Sequence, residues 1–226
     1  MFKSITVLIP VFNDQEVLPE LHRRLKAVLD KDWQDYEMIL VDDGSGDSSW
    51  QEIEALHKQD DRIVGIRLMR NFGQQNAIAA GLDYAGGDVV VIMDSDLQDR
   101  PEDIPRLVQA LEENDASMAI ARWKSRKDSW FKLAVSRLFY SVSKKITNIR
   151  HEPNLAVFRA IKREVIEELR KYPEKTSTTL SLLYWIGVDY VAVDLERDPR
   201  FAGKSGYSLK KMIKLTADRI FSFSMF

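Results

Sequence analysis

The sequence predicts an α/β fold, a doubly wound and mostly parallel sheet flanked by helices. Three observations carry that expectation. The chain has 226 residues, of which 45% are hydrophobic and 30% charged, enough apolar content and length for a sizeable core. Short β-rich apolar runs alternate with helical patterns through the first half, the repetition expected of strand–helix–strand units. Several of those runs end in acidic, Gly- and Ser-rich turns.

The elements follow in order. Ile5–Ile9 is a β-rich run ending at Pro10, and Asn13, three residues before Glu16, predicts a capped helix over roughly 15–29. Tyr36–Val41 reads as a second strand closed by the turn Asp42-Asp43-Gly44-Ser45-Gly46-Asp47. A helix to about Gln59, a third strand over Ile63–Leu68 and a small-residue helix from Gln74 to Tyr84 come next. Asp88–Met93 is almost wholly apolar, which predicts a strand buried on both faces. Pro101 suits the first turn of a helix that runs to about Asn114, and Met118–Ile120 is a short fifth strand. In the second half the pattern predicts an amphipathic basic helix over 130–148, a short helix over 161–170, a strand over Tyr190–Val193 and a helix from Ser208 to Phe226.

Composition excludes several functions. There is no cysteine, so disulfides and thiolate metal sites are ruled out, and His22, His57 and His151 stand in no zinc-ligand spacing. A metal would need carboxylates, hence Mg²⁺ or Mn²⁺. The net charge of −2 argues against a nucleic-acid binder. That charge is uneven: residues 122–150 hold nine Lys/Arg against Asp128 alone, and residues 197–219 hold seven against Asp198 and Asp218. Such asymmetry suits an anionic partner, although solvated helix faces would look the same. The basic helix ending in Phe221-Ser222-Phe223-Ser224-Met225-Phe226 suits either a bilayer interface or a cap on the domain core. No stretch reaches the roughly 18–20 apolar residues of a membrane span.

The strongest chemical signal is Met93-Asp94-Ser95-Asp96-Leu97-Gln98-Asp99. A buried strand delivers two carboxylates one residue apart to its end, and two such groups repel unless a cation lies near them. A hard divalent cation takes carboxylate and diphosphate oxygens together. The plainer reading is a turn whose acids cap the helix after Pro101. Asp42-Asp43 closes a neighbouring strand, and a carboxylate there can accept from a nucleobase N–H. In a parallel sheet both sets of acids stand at the carboxyl edge, where ligands bind. Competing phosphate devices are absent. There is no G-x-G-x-x-G and no G-x-S-x-G, and Gly203-Lys204-Ser205 lacks the P-loop glycine, since position 198 is Asp.

Val7-Leu8-Ile9-Pro10-Val11-Phe12-Asn13, Val41-Asp42-Asp43-Gly44-Ser45, Arg70-Asn71-Phe72-Gly73 and Met93–Asp99 with Pro101-Glu102 together resemble the inverting family-2 glycosyltransferases of GT-A fold. Arg200-Phe201-Ala202-Gly203-Lys204-Ser205 with Tyr207-Ser208-Leu209 extends the likeness to the polyprenyl-phosphate branch, that of dolichol-phosphate mannose synthase and bactoprenol glucosyltransferase. The resemblance implies a catalytic domain over 1–206 and an amphipathic juxtamembrane helix over 207–226, with the transmembrane region of relatives absent from these residues. It implies that Pro10, Phe12, Asn13 and Glu16 line a nucleotide pocket, with Asp43 and Asp42 at the base. Asp94 is implied at the ribose and diphosphate, and Asp96 with Gln98 at a Mg²⁺ or Mn²⁺ ion. Arg122, Arg137 and Arg200 are implied as catalytic phosphate contacts, joined at the acceptor phosphate by Lys204 and Ser205. Gly206 stands where relatives often carry a second lysine, and His151–Arg159 replaces an acidic, Gly-containing stretch on the sugar side.

The implied reaction takes a sugar from a UDP, dTDP or GDP donor and passes it, with inversion, to a polyprenyl phosphate. It would be done by a peripheral protein at the cytoplasmic face of a bacterial inner membrane, with self-association left open. Two alternatives stand beside it. One is transfer to a soluble sugar or protein hydroxyl, with Glu152 the candidate base. The other is a non-catalytic nucleotide-sugar-binding scaffold on a membrane. A processive polysaccharide synthase is disfavoured because no Gln-x-x-Arg-Trp follows in the C-terminal half.

Overall fold

The computed structural model describes residues 2–123, 155–172 and 179–201. Its seven strands are β1 (Ser4–Val11), β2 (Asp35–Asp42), β3 (Ile63–Arg67), β4 (Val89–Ile92), β5 (Met118–Trp123), β6 (Leu155–Lys162) and β7 (Tyr190–Leu195). They form one sheet in the order β3-β2-β1-β4-β6-β5-β7. β1 pairs in parallel with β2 and β4, β2 with β3, and β5 with β7; β6 alone runs antiparallel, between β4 and β5. The helices are α1 (Leu18–Asp32), α2 (Ser49–Gln59), α3 (Gln74–Leu82), α4 (Ile104–Asn114), α5 (Arg163–Arg170) and α6 (Thr179–Trp185), with a 3₁₀ turn over Pro101–Asp103.

Each strand's alternation feeds two cores. Ile5, Val7 and Ile9 of β1 join Leu18, Leu21, Leu25 and Leu29 of α1 and Ile104, Leu107 and Leu111 of α4 on one face. Leu8 of β1, Ile39 and Val41 of β2 and Ile92 of β4 join Ala77, Ile78 and Leu82 of α3 and Ile166 and Leu169 of α5 on the other. The α1 leucines recur at helical spacing and are all buried. Each such side chain contributes roughly 1.5–3 kcal/mol relative to exposure.

Pro10 lies inside β1 rather than ending it. Leu8 faces β4, where its carbonyl accepts the Met93 N–H, and by alternation Pro10 faces the same side. The β1–β4 ladder stops at Leu8 and Ile92, so the N–H that proline lacks is not needed there.

Other boundaries also moved. α1 starts at Leu18 with Pro19 in its first turn and no side-chain cap. Asn13 does not cap it. Its backbone is left-handed (φ 57°), and its Oδ1 accepts the Gly46 N–H at 2.8 Å, tying the β1 and β2 turns together. The 161–170 region enters as the end of β6 and becomes helical at Arg163. Strand β6 takes up part of the stretch that the family resemblance assigned to the sugar side, with Arg159 buried and donating to the Val157 and Ala156 carbonyls. The basic helix expected over 130–148 and the helix over 207–226 lie outside the described residues.

Candidate active site at the carboxyl edge of the sheet

The parallel strands β1, β2, β3 and β4 end on one edge, and the turns that follow them carry the polar residues singled out in the sequence. The turn after β1 and the turn after β2 are knitted together. Asn13 N–H donates to Ser45 Oγ (2.9 Å), Asp14 N–H to Ser49 Oγ (2.9 Å) and Ser48 N–H to Gln15 Oε1 (2.7 Å). Phe12 is partly exposed on this edge, and Glu16 is exposed two residues before α1.

The two acids after β2 have different settings. Asp42 is fully buried. Its Oδ1 accepts the Ser45 N–H at 3.0 Å, and its Oδ2 lies 3.7 Å from Arg67 Nε without a hydrogen bond. Asp43 turns to the loop after β3. Its Oδ1 accepts the Phe72 N–H at 2.7 Å and its Oδ2 the Gly73 N–H at 2.9 Å. That loop passes directly over Gly44, whose φ is +67°. A Cβ there would collide with the Arg70 carbonyl carbon and come within 2.6 Å of Asn71 N. Arg70 in turn stacks on Phe72, its guanidinium carbon 4.5 Å from the ring centre.

After β4 the chain carries three carboxylates close together. Asp94 is pushed up to about 6, first by burial and then by the charge of Asp96. Its Oδ1 accepts from Gln74 Nε2 at 2.5 Å. Asp99 is almost wholly buried and is pushed up to about 8, again by burial first and then by Asp94. Among the described residues its Oδ1 has no hydrogen-bond partner, and Arg197 Nε stands 3.8 Å away. Ser95, between Asp94 and Asp96, donates to Asp14 Oδ2 at 2.5 Å and ties this tip to the β1 turn. Burial raises Asp14 above the ordinary carboxylate value, against the pull of that hydrogen bond.

A strap that follows β7, residues 196–201, lies against this acidic tip. Arg200 Nη2 is 2.8 Å from Asp96 Oδ2, while Asp96 Oδ1 accepts the Gln98 N–H at 3.0 Å. Asp198 N–H donates to the Gln98 carbonyl (3.0 Å), Gln98 Nε2 to the Asp198 carbonyl (3.4 Å) and Phe201 N–H to the Asp96 carbonyl (3.4 Å). Arg197 also lies over Trp123, 5.4 Å from the ring centre. Arg122, at the end of β5, pairs with Asp194 of β7 at 2.6 Å.

The sequence-selected residues thus fall into two groups. Pro10, Phe12, Asn13, Asp42, Asp43, Asp94, Asp96, Gln98 and Arg200 belong to the strand ends and loops of one edge of the sheet, and Arg122 stands at the end of β5 with Asp194. Arg137, Lys204, Ser205 and Glu152 lie outside the described residues. Asp14 is marked in the sequence only as one of the polar residues that follow β1, with no role of its own, and Gln74 and Arg197 carry no site assignment there. Asp14 followed Asn13 in plain view, whereas Gln74 and Arg197 gain meaning only from long-range contacts.

The donor set at the β4 tip is carboxylate oxygen, which suits a hard cation such as Mg²⁺ or Mn²⁺. Asp96 already faces a cationic group, the Arg200 guanidinium, and among the described residues Asp99 keeps a buried oxygen without a hydrogen-bond partner, so the tip offers carboxylate oxygen that its protein partners do not saturate. Among the described residues no group of three or more His, Asp or Glu side chains could hold an ion by itself. An ion at Asp96 would therefore draw most of its ligands from a bound diphosphate and water.

Comparison with known proteins shows the family and the fold. The family model described as glycosyl transferase family 2 matches residues 6–170. The chain belongs to glycosyltransferase family 2. This glycosyltransferase is 36% identical over 219 residues to an uncharacterised glycosyltransferase of Bacillus subtilis, covering 97% of this chain and 68% of the relative. It is 34% identical over 224 residues to the bactoprenol glucosyl transferase of Shigella phage SfV, covering 99% and 73%. It is 36% identical over 219 residues to the undecaprenyl-phosphate 4-deoxy-4-formamido-L-arabinose transferase of Serratia proteamaculans, covering 96% and 67%. The glycosyltransferase fold also matches glucosyl-3-phosphoglycerate synthase from Mycobacterium tuberculosis, solved with Mn²⁺, UDP-glucose and phosphoglyceric acid. The TM-score is 0.70 at 18% identity, over 96% of this chain and 77% of that one. A mannosyltransferase from Pyrobaculum calidifontis, in complex with GDP-Man and Mn²⁺, matches with a TM-score of 0.59 at 20% identity, over 90% of this chain and 58% of that one. Among the described residues no helix is long and apolar enough to cross a membrane.

Proposed function

We propose that this glycosyltransferase moves a sugar from a nucleoside diphosphate donor to a polyprenyl phosphate, with inversion at the anomeric carbon. The observation that carries the reading is the contact between Asp96 and Arg200. A carboxylate suited to a cation–diphosphate and a guanidinium suited to an anionic acceptor share one point of the sheet edge. The bactoprenol and undecaprenyl-phosphate relatives supply the acceptor class, and the basic stretches 122–150 and 197–219 fit a membrane surface bearing lipid phosphate.

In this reading Phe12 and Asn13 border the nucleotide, Asp43 takes the base N–H on a second lone pair of an oxygen that also accepts from the Phe72-Gly73 turn, and Asp94 accepts from the ribose. Pro10 and Glu16 complete that pocket, and Asp42 acts through the turn it caps. Asp96 would hold Mg²⁺ or Mn²⁺, with Gln98 beside it, and such an ion supplies charge neutralisation to the departing diphosphate. A lipid phosphate oxygen attacks the anomeric carbon as the bond to the nucleoside diphosphate breaks. A phosphate monoester is already largely ionised near neutral pH, so the attack needs no general base. Arg200, with Arg122, Arg137, Lys204 and Ser205, gathers the acceptor phosphate, and forked guanidinium hydrogen bonds offset the repulsion between the two anions. The catalytic domain is assigned to 1–206 and the membrane-facing helix to 207–226, at the cytoplasmic face of a bacterial inner membrane.

Asp96→Ala tests the reading. Transfer should fall by two or more orders of magnitude, and Mn²⁺-dependent binding of the nucleoside diphosphate should weaken in parallel. Transfer at the wild-type rate would remove Asp96 from the mechanism.

A further inference from the structure

We infer that Gln74 is a positioning residue for Asp94, set in place by Asp43 through the turn at Phe72-Gly73. The inference rests on the donor-binding reading above and deepens it.

The chain of contacts is continuous. Both oxygens of Asp43 are engaged by consecutive backbone amides, Phe72 at 2.7 Å and Gly73 at 2.9 Å. Bonds from two amides to one carboxylate fix both the position and the tilt of that peptide turn. Gly44 lets the turn sit at backbone contact distance, and Gly73 then adopts φ 94°, a conformation open to glycine. The next residue, Gln74, opens α3, and its Nε2 reaches Asp94 Oδ1 at 2.5 Å. Three residues thus link the carboxylate at the tip of β2 to the carboxylate at the tip of β4.

The orientation of the Gln74 amide follows from chemistry. An ionised carboxylate only accepts, so the NH₂ of Gln74 must face it. Asp94 sits beside Asp96, whose charge opposes its own, and α3 brings no basic residue to this end. A neutral donor is the partner that orients Asp94 without adding a second cation where the donor's diphosphate and its ion would meet. A lysine at 74 would compete for those anions, and a glutamate would add a third like charge. Holding Oδ1 leaves Oδ2 to accept from the donor. The same relay makes the setting of Asp94 depend on how Asp43 holds its turn.

The test is titration calorimetry of the full chain with UDP, dTDP and GDP in the presence of Mn²⁺, on wild type, Gln74→Ala and Gln74→Glu, with a thermal melt of each. Losing one charge-assisted hydrogen bond predicts about a tenfold weaker affinity for Gln74→Ala, and a larger loss for Gln74→Glu, which is nearly isosteric. In turnover, the donor KM of Gln74→Ala rises while the acceptor KM holds. A purely structural role would instead lower the melting temperature and leave the affinity of the folded fraction unchanged, and that result overturns the inference. Equal affinities for wild type and Gln74→Glu overturn it too. Wild type that binds none of the three nucleotides overturns the donor-binding reading itself, which separates the two failures.

Discussion

Replacing Asp99 by asparagine should stabilise the protein, and by an amount that grows with pH. Asp99 is about 1% exposed, and among the described residues its Oδ1 has no hydrogen-bond partner and its nearest cation, Arg197, is 3.8 Å away. Burial first, and then Asp94, push its carboxyl from the ordinary 3.8 to about 8. In the unfolded chain the proton leaves near pH 4. In the folded protein it stays on to about 8, so between those values the native state binds more protons and stability falls as pH rises. The slope is about 1.4 kcal/mol per pH unit, which gives a ceiling of about 4 kcal/mol at pH 7. Asparagine has no such cost, but its buried amide also goes without a full set of hydrogen-bond partners, which returns roughly 1–2 kcal/mol. The net gain expected is at most about 3–4 kcal/mol at pH 7.5 and about zero, or a slight loss, at pH 4.5. Urea unfolding at the two pH values, compared by midpoint and slope, measures it. An equal change at both pH values, or a loss at pH 7.5, would refute the claim that Asp99 is a buried acid without adequate partners.

Two further substitutions probe the same edge. Gly44→Ala forces a side chain into φ +67° and against the backbone of Arg70 and Asn71. It should cost about 2–4 kcal/mol in thermal or chemical unfolding and weaken nucleotide binding, because the loop that Asp43 holds must move. Arg200→Gln removes the cation facing Asp96, so Mn²⁺ without nucleotide should bind roughly fivefold more tightly while the apparent KM for acceptor rises. Weaker Mn²⁺ binding in that variant would show that Arg200 does not compete for Asp96.

The legible parts of the sequence were those whose signal is local. Val7–Ile9, Met38–Val41 and Val89–Ile92 are apolar runs between turn residues, and each is a strand of the sheet. The acids that follow them stand on one edge because parallel strands must end together, so Asp43, Asp94 and Asp96 could be grouped before any coordinate. What depends on distant pairing was not legible. β6 reads Leu155-Ala156-Val157-Phe158-Arg159-Ala160-Ile161-Lys162 and holds a buried arginine. Its antiparallel place between β4 and β5 is decided by partners more than thirty residues away, as in the register of Val90 with Ile161. Gln74 and Arg197 belong to the same category. A glutamine at a helix start and an arginine in a basic run are ordinary in sequence, and only the fold brings them to Asp94 and Asp99. The Asn13 cap failed for a physical reason, since its side chain had a competing backbone donor at Gly46.

The most direct measurement is the mass of the product. The full chain is incubated with Mn²⁺, a panel of UDP-, dTDP- and GDP-sugars and a short polyprenyl phosphate, and the lipid fraction is weighed by mass spectrometry. The expected product is a lipid phosphate heavier by one glycosyl residue with one of the donors, and none of it forms with Asp96→Ala. Donor that binds without turnover in the presence of the lipid, or sugar that passes only to a soluble hydroxyl acceptor, would contradict it.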